Sequence, residues 1–265
     1  MSDISVAQSR FLAAQRKHKR IVKCSRLLVF LSFLALWEGA AYFHLIDSFI
    51  FGSPSKVALC FYDMMQRKAL LGHIGITLME TILSFALVIF LALGVTILLW
   101  FSRKLSETLE PYLVILNSLP KSALAPLLIV WLGTDYTTII ITGMSVAIFG
   151  SILSLYTTFQ SVDPEKIKLI YTLGGSRLHV MTKVILPSSI PALFSLMKVN
   201  IGLCLVGVII GEFIASRKGL GYLIIYGSQV FKLDWVIMSI VLLCVMAMGL
   251  YWLLGLAEKR YLRRL

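Results

Sequence analysis

Charged residues are scarce in this chain and acids scarcer still: 14% of its 265 residues are charged, with 13 Asp and Glu against 25 Lys and Arg. A water-soluble domain of this length carries about 25% charge, so that class is excluded. Cysteine is nearly absent, and Cys24, Cys60, Cys204 and Cys244 lie too far apart for a disulfide framework or a metal-ligand set. They read as small apolar fillers. Nowhere does a glycine-rich loop lead into Lys followed by Ser or Thr, so no ATP-binding loop is expected in this chain. Its four histidines make no nucleophile-base or metal arrangement, and no catalytic, cofactor-binding or metal residue is assigned.

Hydrophobic residues fill the space, at 58% of the chain and a mean hydropathy of +0.89. A membrane-spanning helix needs about 20 predominantly apolar residues. Six stretches qualify, at roughly 27–46, 76–101, 112–132, 137–159, 190–215 and 235–257. The fold class is therefore an all-α polytopic membrane protein with six transmembrane helices, and both ends lie on one side. The first stretch follows a basic segment, as a signal peptide does, but its length and the spans after it make it a retained helix.

The net charge of +12 invites a nucleic-acid reading, which the placement of the cations removes. Seventeen fall on one side of the six spans, in 10–26, 103–104, 166–183 and 259–264; six fall on the other, at Lys56, Arg67, Lys68, Arg217, Lys218 and Lys232. Such an excess marks the cytoplasmic side. The chain divides into a basic cytoplasmic tail, 1–26, able to lie on an anionic leaflet, a transmembrane domain, 27–257, and a second basic tail, 258–265. Both termini and residues 160–188 are placed in the cytoplasm, and 47–72 and 216–234 outside. Ser53 is placed to cap an outer-face helix that begins at Pro54.

Two spans carry unusual signals. Pro120 and Pro126 each remove a backbone donor from the third, and in hydrocarbon the freed carbonyls need protein or a water-filled cavity. The stretch containing Pro120, Lys121, Ser122 and Pro126 is therefore a candidate pore lining, with a kinked, packed helix as the alternative. In the fifth span Gly207 and Gly211 have the spacing that lets two helices approach closely. The partner helix belongs either to this chain or to a second copy.

Between spans four and five lies a polar, basic run. Asp163 is placed to cap a helix that begins at Pro164, with Glu165 in its first turn. That helix carries Leu169 and Thr172 and runs to about Leu173, where Gly174 and Gly175 supply a turn. A second helix, carrying Ser176, Arg177 and Val180, runs to Ile185 and stops at Leu186-Pro187. The expected product is a helix-turn-helix projecting into the cytoplasm.

This segment resembles the coupling motif of ABC importer permeases, which docks into an ATP-binding subunit. In that family a glutamate and two alanines precede the glycine, and a hydrophobic residue, any residue, leucine and proline close the motif. Gly174 and Ile185-Leu186-Pro187 match, whereas Lys168, Leu169 and Ile170 stand in place of the acid and the alanines. The resemblance extends through Phe51-Gly52-Ser53-Pro54, His73-Ile74-Gly75-Ile76-Thr77-Leu78, Ala123-Leu124-Ala125-Pro126-Leu127 with Trp131-Leu132-Gly133, Gly211-Glu212-Phe213-Ile214 and Gly219-Leu220-Gly221-Tyr222. It is strongest to the sulfonate, nitrate and taurine branch.

The resemblance implies a type I importer permease of the bacterial inner membrane, paired as a homodimer. Two ATP-binding subunits, which hold the ATP and Mg, would lie beneath it and an extracytoplasmic binding protein above. The solute it implies is a small anion such as a sulfonate, nitrate or taurine, with a thiamine-precursor pyrimidine as the alternative. An ion-coupled secondary transporter is the competing class, but it predicts an internal repeat that the sequence does not show.

Ionisable residues inside spans are functional suspects by default. Four are read here: Glu38, Lys121, Lys198 and Glu212. Lys198, near a span end, suits snorkelling to the interface, with a pore role as the alternative. Lys121 suits either attraction of an anion in the pore or an ion pair with Glu38. Glu212 suits an ion pair at the outer mouth or a solvated helix end.

Overall fold

The computed structural model describes residues 6–47, 49–67 and 69–263. Expectations for residues 1–5, 264 and 265 in the two tails, and for Lys68, lie outside the described residues, as do those for the side chains of Arg10, Arg16 and Lys19. All regular structure among the described residues is helical, and the chain forms two units, residues 1–62 and 63–265.

In the first unit the basic tail from Val6 and most of the first apolar stretch lie on one helix, α1, Val6–Tyr42. No proline or glycine occurs before Gly39 to interrupt it. Its apolar residues from Leu27 to Leu31, with Phe33 and Leu36, are exposed. The next helix, α2, Pro54–Gln66, starts as its sequence predicts: Pro54 opens it and the Ser53 hydroxyl accepts from the Lys56 N–H at 3.3 Å.

The second unit holds four helical segments long and apolar enough to cross a membrane, or five with one bent pair. They are α3, Ala69–Phe101; α6, Tyr136–Gln160; the continuous run 177–215; and α11, Leu233–Leu262. The core lies where α3, α6 and α9, Leu186–Ala215, meet. Their facing residues are small, as packing between helices in lipid requires. A Cβ added to Gly207 would lie 2.8 Å from the Gly143 Cα, and one added to Gly211 would lie 3.1 Å from the Ile139 Cα. The partner of the Gly207 and Gly211 face is therefore α6 of the same chain. Buried hydroxyls bond back to their own helices, Thr81 to the Thr77 carbonyl at 2.7 Å and Ser151 to that of Ala147 at 2.6 Å. Ser84 crosses to the Ile140 carbonyl at 3.0 Å.

Prolines shape the chain at two places. The stretch 112–132 is not one straight helix: α4, Arg103–Ser118, and α5, Lys121–Leu132, meet at a 97° bend. Pro120 at the break has no N–H to continue the ladder. Conversely, the helix entering Pro187 does not stop there. A short α8, Arg177–Val180, passes through a π-helical turn, Met181–Ile185, into α9. The wider turn lets Leu186 N–H bond the Met181 carbonyl, and Pro187 takes its place in the first turn of α9, where its missing donor does least damage. The last helix, α11, runs on through most of the expected tail, to Leu262.

Candidate functional site

The polar segment forms as its local chemistry dictates. Asp163 Oδ1 accepts from the Glu165 N–H at 2.9 Å, Pro164 opens α7, Pro164–Thr172, and Glu165 pairs with Lys168 at 3.1 Å. Gly174 has φ +77°. Its N–H bonds the Tyr171 carbonyl at 3.0 Å, and the Gly175 N–H bonds the Ile170 carbonyl at 2.9 Å. These are the two bonds of a Schellman turn, with glycine at the left-handed position. The next helix starts at Ser176, whose N–H donates to His179 Nδ1 at 3.2 Å and whose hydroxyl meets the same nitrogen at 2.9 Å.

The segment is two-faced. Val180, Met181 and Ile185 are buried with Phe159, and Ile167, Ile170 and Leu186 pack onto them. Arg177 reaches the Phe101 carbonyl at 3.4 Å. On the other face Leu169, Tyr171, Leu173 and Leu178 are 58%, 45%, 76% and 62% exposed. Of the predicted coupling residues, Val180 and Ile185 support the segment from beneath, Leu186 is partly covered, and Gly175 lies at the turn. Glu165, Leu169, Thr172, Gly174, Ser176, Arg177 and Pro187 are exposed.

Lys121 lies at the α4–α5 bend. Its Nζ donates to the Leu116 and Asn117 carbonyls at 2.8 and 2.7 Å, closing the end of α4 that the bend leaves open. Glu38 accepts from the Ser55 N–H and hydroxyl at 3.0 and 2.6 Å. Pro120, Ser122 and Pro126 are exposed around the bend. Lys198 does not snorkel: it pairs with Glu258 across α9 and α11, each side chain less than a fifth exposed.

Glu212 is not solvated, and among the described residues no cation pairs with it. It is 1% exposed, and its carboxylate accepts from the Thr77 hydroxyl at 2.6 Å and the Gly221 N–H at 2.5 Å. The loop that follows, 216–219, enters α10, Leu220–Gln229. His73 Nδ1 receives the Gly219 N–H at 3.0 Å, and its ring stacks on Tyr222 at 6.1 Å. Beside this loop a cleft of about 390 Å³ is lined by Thr134, Asp135, Tyr136, Ser216, Arg217 and Lys218 among others.

One acid escapes the sequence reading. Glu80 lies within the second apolar stretch, is completely buried, and faces Glu212. A carboxylate inside an apolar run was a readable signal.

The family model described as "Binding-protein-dependent transport system inner membrane component" matches residues 89–263. The chain belongs to this family. In Haemophilus influenzae a protein named a probable ABC transporter permease is 29% identical over 232 residues, covering 86% of this chain and 94% of its own length. A permease of Chloroflexus aurantiacus named for riboflavin transport is 27% identical, covering 87% of this chain and 86% of its own. Other permease relatives are named for aliphatic sulfonates in Bacillus subtilis, at 25% identity, and for taurine in Escherichia coli, at 24%. One in Halalkalibacterium halodurans, at 23%, is named for formylaminopyrimidine. A solved chain of the MetNI methionine ABC transporter, in an inward-facing conformation, shares the fold with a TM-score of 0.62 at 21% identity, covering 76% of this chain and 97% of that one. This chain is thus an ABC transporter permease, a transport subunit rather than an enzyme, built as a multi-pass membrane protein.

Proposed function

We propose that the permease works as a homodimer and imports a small anion handed to it by an extracytoplasmic binding protein, driven by ATP-binding subunits that dock on α7, the glycine turn and α8. The observation that carries the docking is the exposed row of Leu169, Tyr171, Leu173 and Leu178 on a basic segment outside the apolar runs. Lipid does not cover such a row, and an apolar patch exposed to water marks a protein interface. Six spans with both termini in the cytoplasm put that row beside the ATPase, with α1 as the first span and α4 with α5 as a bent third.

In this mechanism closure of the ATP-binding subunits draws the coupling segments of two copies together. Because α8 continues without a stop into α9, and Val180, Met181 and Ile185 are packed against Phe159 of α6, the movement passes straight into the α6–α9 core. The anion reading rests on Arg217 and Lys218 at the cleft beside the 216–219 loop. There they would lie on the outer side and raise the local concentration of a negatively charged solute. Uptake of taurine or an alkanesulfonate by cells expressing the whole transporter supports this reading; uptake of formylaminopyrimidine alone replaces it with the other solute class.

Docking and orientation are tested together by Leu173→Cys in a chain whose four native cysteines are replaced by alanine. A membrane-impermeant maleimide is expected to label it in inside-out vesicles and not in right-side-out cells. Addition of the ATP-binding subunit is expected to cut labelling several-fold. Labelling from outside the cell overturns the orientation, and unchanged labelling in the assembled complex overturns the docking.

A further inference from the structure

Glu80 on α3 and Glu212 on α9 are 0% and 1% exposed, and each faces the other in the core of the bundle. Among the described residues no lysine or arginine forms an ion pair with either. Among the described residues the other ionisable groups at this end include His73 on α3, Tyr222 on α10, Asp135 and Tyr136 at the start of α6, and Arg217 and Lys218 in the 216–219 loop. His73 Nδ1 lies 3.0 Å from the Gly219 N and 3.2 Å from the Gly219 carbonyl oxygen, so its hydrogen bonds stay with the loop backbone. Asp135, Arg217 and Lys218 are exposed. Two carboxylates in so dry a place without a counter-ion are not both ionised.

The hydrogen bonds say which one is. Every donor goes to Glu212: the Thr77 hydroxyl at 2.6 Å on one oxygen and the Gly221 N–H at 2.5 Å on the other. Thr77 is held in that role because its oxygen accepts the Leu220 N–H at 2.8 Å. Among the described residues no hydroxyl or N–H donates to either Glu80 oxygen. A buried carboxyl that receives no donor is stable only as the neutral acid, which supplies a donor of its own.

We propose that Glu80 and Glu212 form a proton-binding site, with Glu80 holding the proton toward Glu212 and Glu212 holding the loop that leads into α10. The glycines of that loop are explained by the same acid. A Cβ on Gly219, whose φ is +112°, would lie within 2.5 Å of three Glu212 carboxyl atoms, and one on Gly221 would lie 2.8 Å from Oε2. The loop backbone reaches the carboxylate because these two residues have no side chain. The bound proton removes the second charge that would drive α3 and α9 apart, so it belongs to the folded state.

Infrared spectroscopy of the purified, lipid-reconstituted permease tests the assignment without reference to transport. At about pH 8, well above the value for an ordinary glutamate, the wild type is expected to show a neutral-carboxyl C=O band that Glu80→Gln removes. Thermal unfolding supplies the second arm. Glu80→Gln keeps a donor in place and is expected to melt within a few degrees of wild type. Glu212→Gln turns an amide N–H toward a donor, and its melting point is expected to fall on the order of 5–10 °C. A wild type with no such band overturns the proposal, as does a Glu80→Gln variant that retains the band or melts as low as Glu212→Gln. Stabilisation of a band-free wild type by sodium or potassium chloride would identify a metal cation in the proton's place.

Discussion

Gly207→Val is expected to lower the stability of the purified permease by about 3 kcal/mol or more, the upper end of what overpacking inflicts. The new Cβ would lie 2.8 Å from the Gly143 Cα and from Val146 Cγ2, and 3.0 Å from the Gly143 carbonyl oxygen. Two of those three atoms are backbone of a neighbouring helix, so relief requires α6 and α9 to separate. Separation opens the cluster of Ala147, Ile148, Ile152, Leu155 and Cys204 on one side and that of Ile139, Val208 and Ala215 on the other. Lipid tails are as apolar as these side chains, so no hydrophobic gain offsets the lost contacts. Gly202 on the same helix supplies the control, because an added Cβ there meets no atom within 4 Å. Gly202→Ala is expected to be neutral or to gain up to about 1 kcal/mol from helix propensity, whereas Gly207→Ala is expected to lose stability despite the same gain. Thermal unfolding in detergent micelles distinguishes the signs, and equal effects at the two positions would place the close contact elsewhere.

The apolar runs were legible because a backbone in lipid must satisfy its own hydrogen bonds, and only a helix does so within one segment. Local chemistry was legible too: Asp163-Pro164 and Gly174-Gly175 set a cap and a turn by rules that need no distant neighbour. What the sequence hid depended on partners. Pro120 announces a lost donor but not the 97° bend, whose closure rests on the Lys121 ammonium reaching two carbonyls of α4. Pro187 reads as a stop, yet one extra residue in the turn before it carries the helix through. Lys198 reads as a snorkelling cation until α11 brings Glu258 beside it. The small-residue face of α9 showed that something packs closely there, and only the fold identified α6. Glu80 and Glu212 are 132 positions apart, and nothing local announces that two acids will face each other.

Replacing Gly174 and Gly175 together by valine is expected to abolish transport while leaving a folded, membrane-inserted chain. At Gly174 the backbone has φ +77°, which a β-branched residue adopts only at a penalty of about 1–2 kcal/mol or more. At Gly175 the new Cβ would lie 2.4 Å from Ile170 Cγ2 and 2.8 Å from the Ile170 carbonyl oxygen, the acceptor of the Schellman bond. The turn therefore opens, and Leu169 on α7 and Leu173 at its C-cap lose their register with Leu178 on α8. Val180, Met181 and Ile185 lie beyond the turn and stay packed on Phe159, so α9 and the bundle are retained. If the exposed row is where ATP hydrolysis is felt, transport and copurifying ATPase activity fall together, each by an order of magnitude or more. Gly174→Asn separates conformation from contact, since asparagine is the other residue that accepts the left-handed position; it is expected to keep most of both activities. A double-valine variant that assembles with its ATPase and transports at the wild-type rate would show that coupling runs through another surface of the permease.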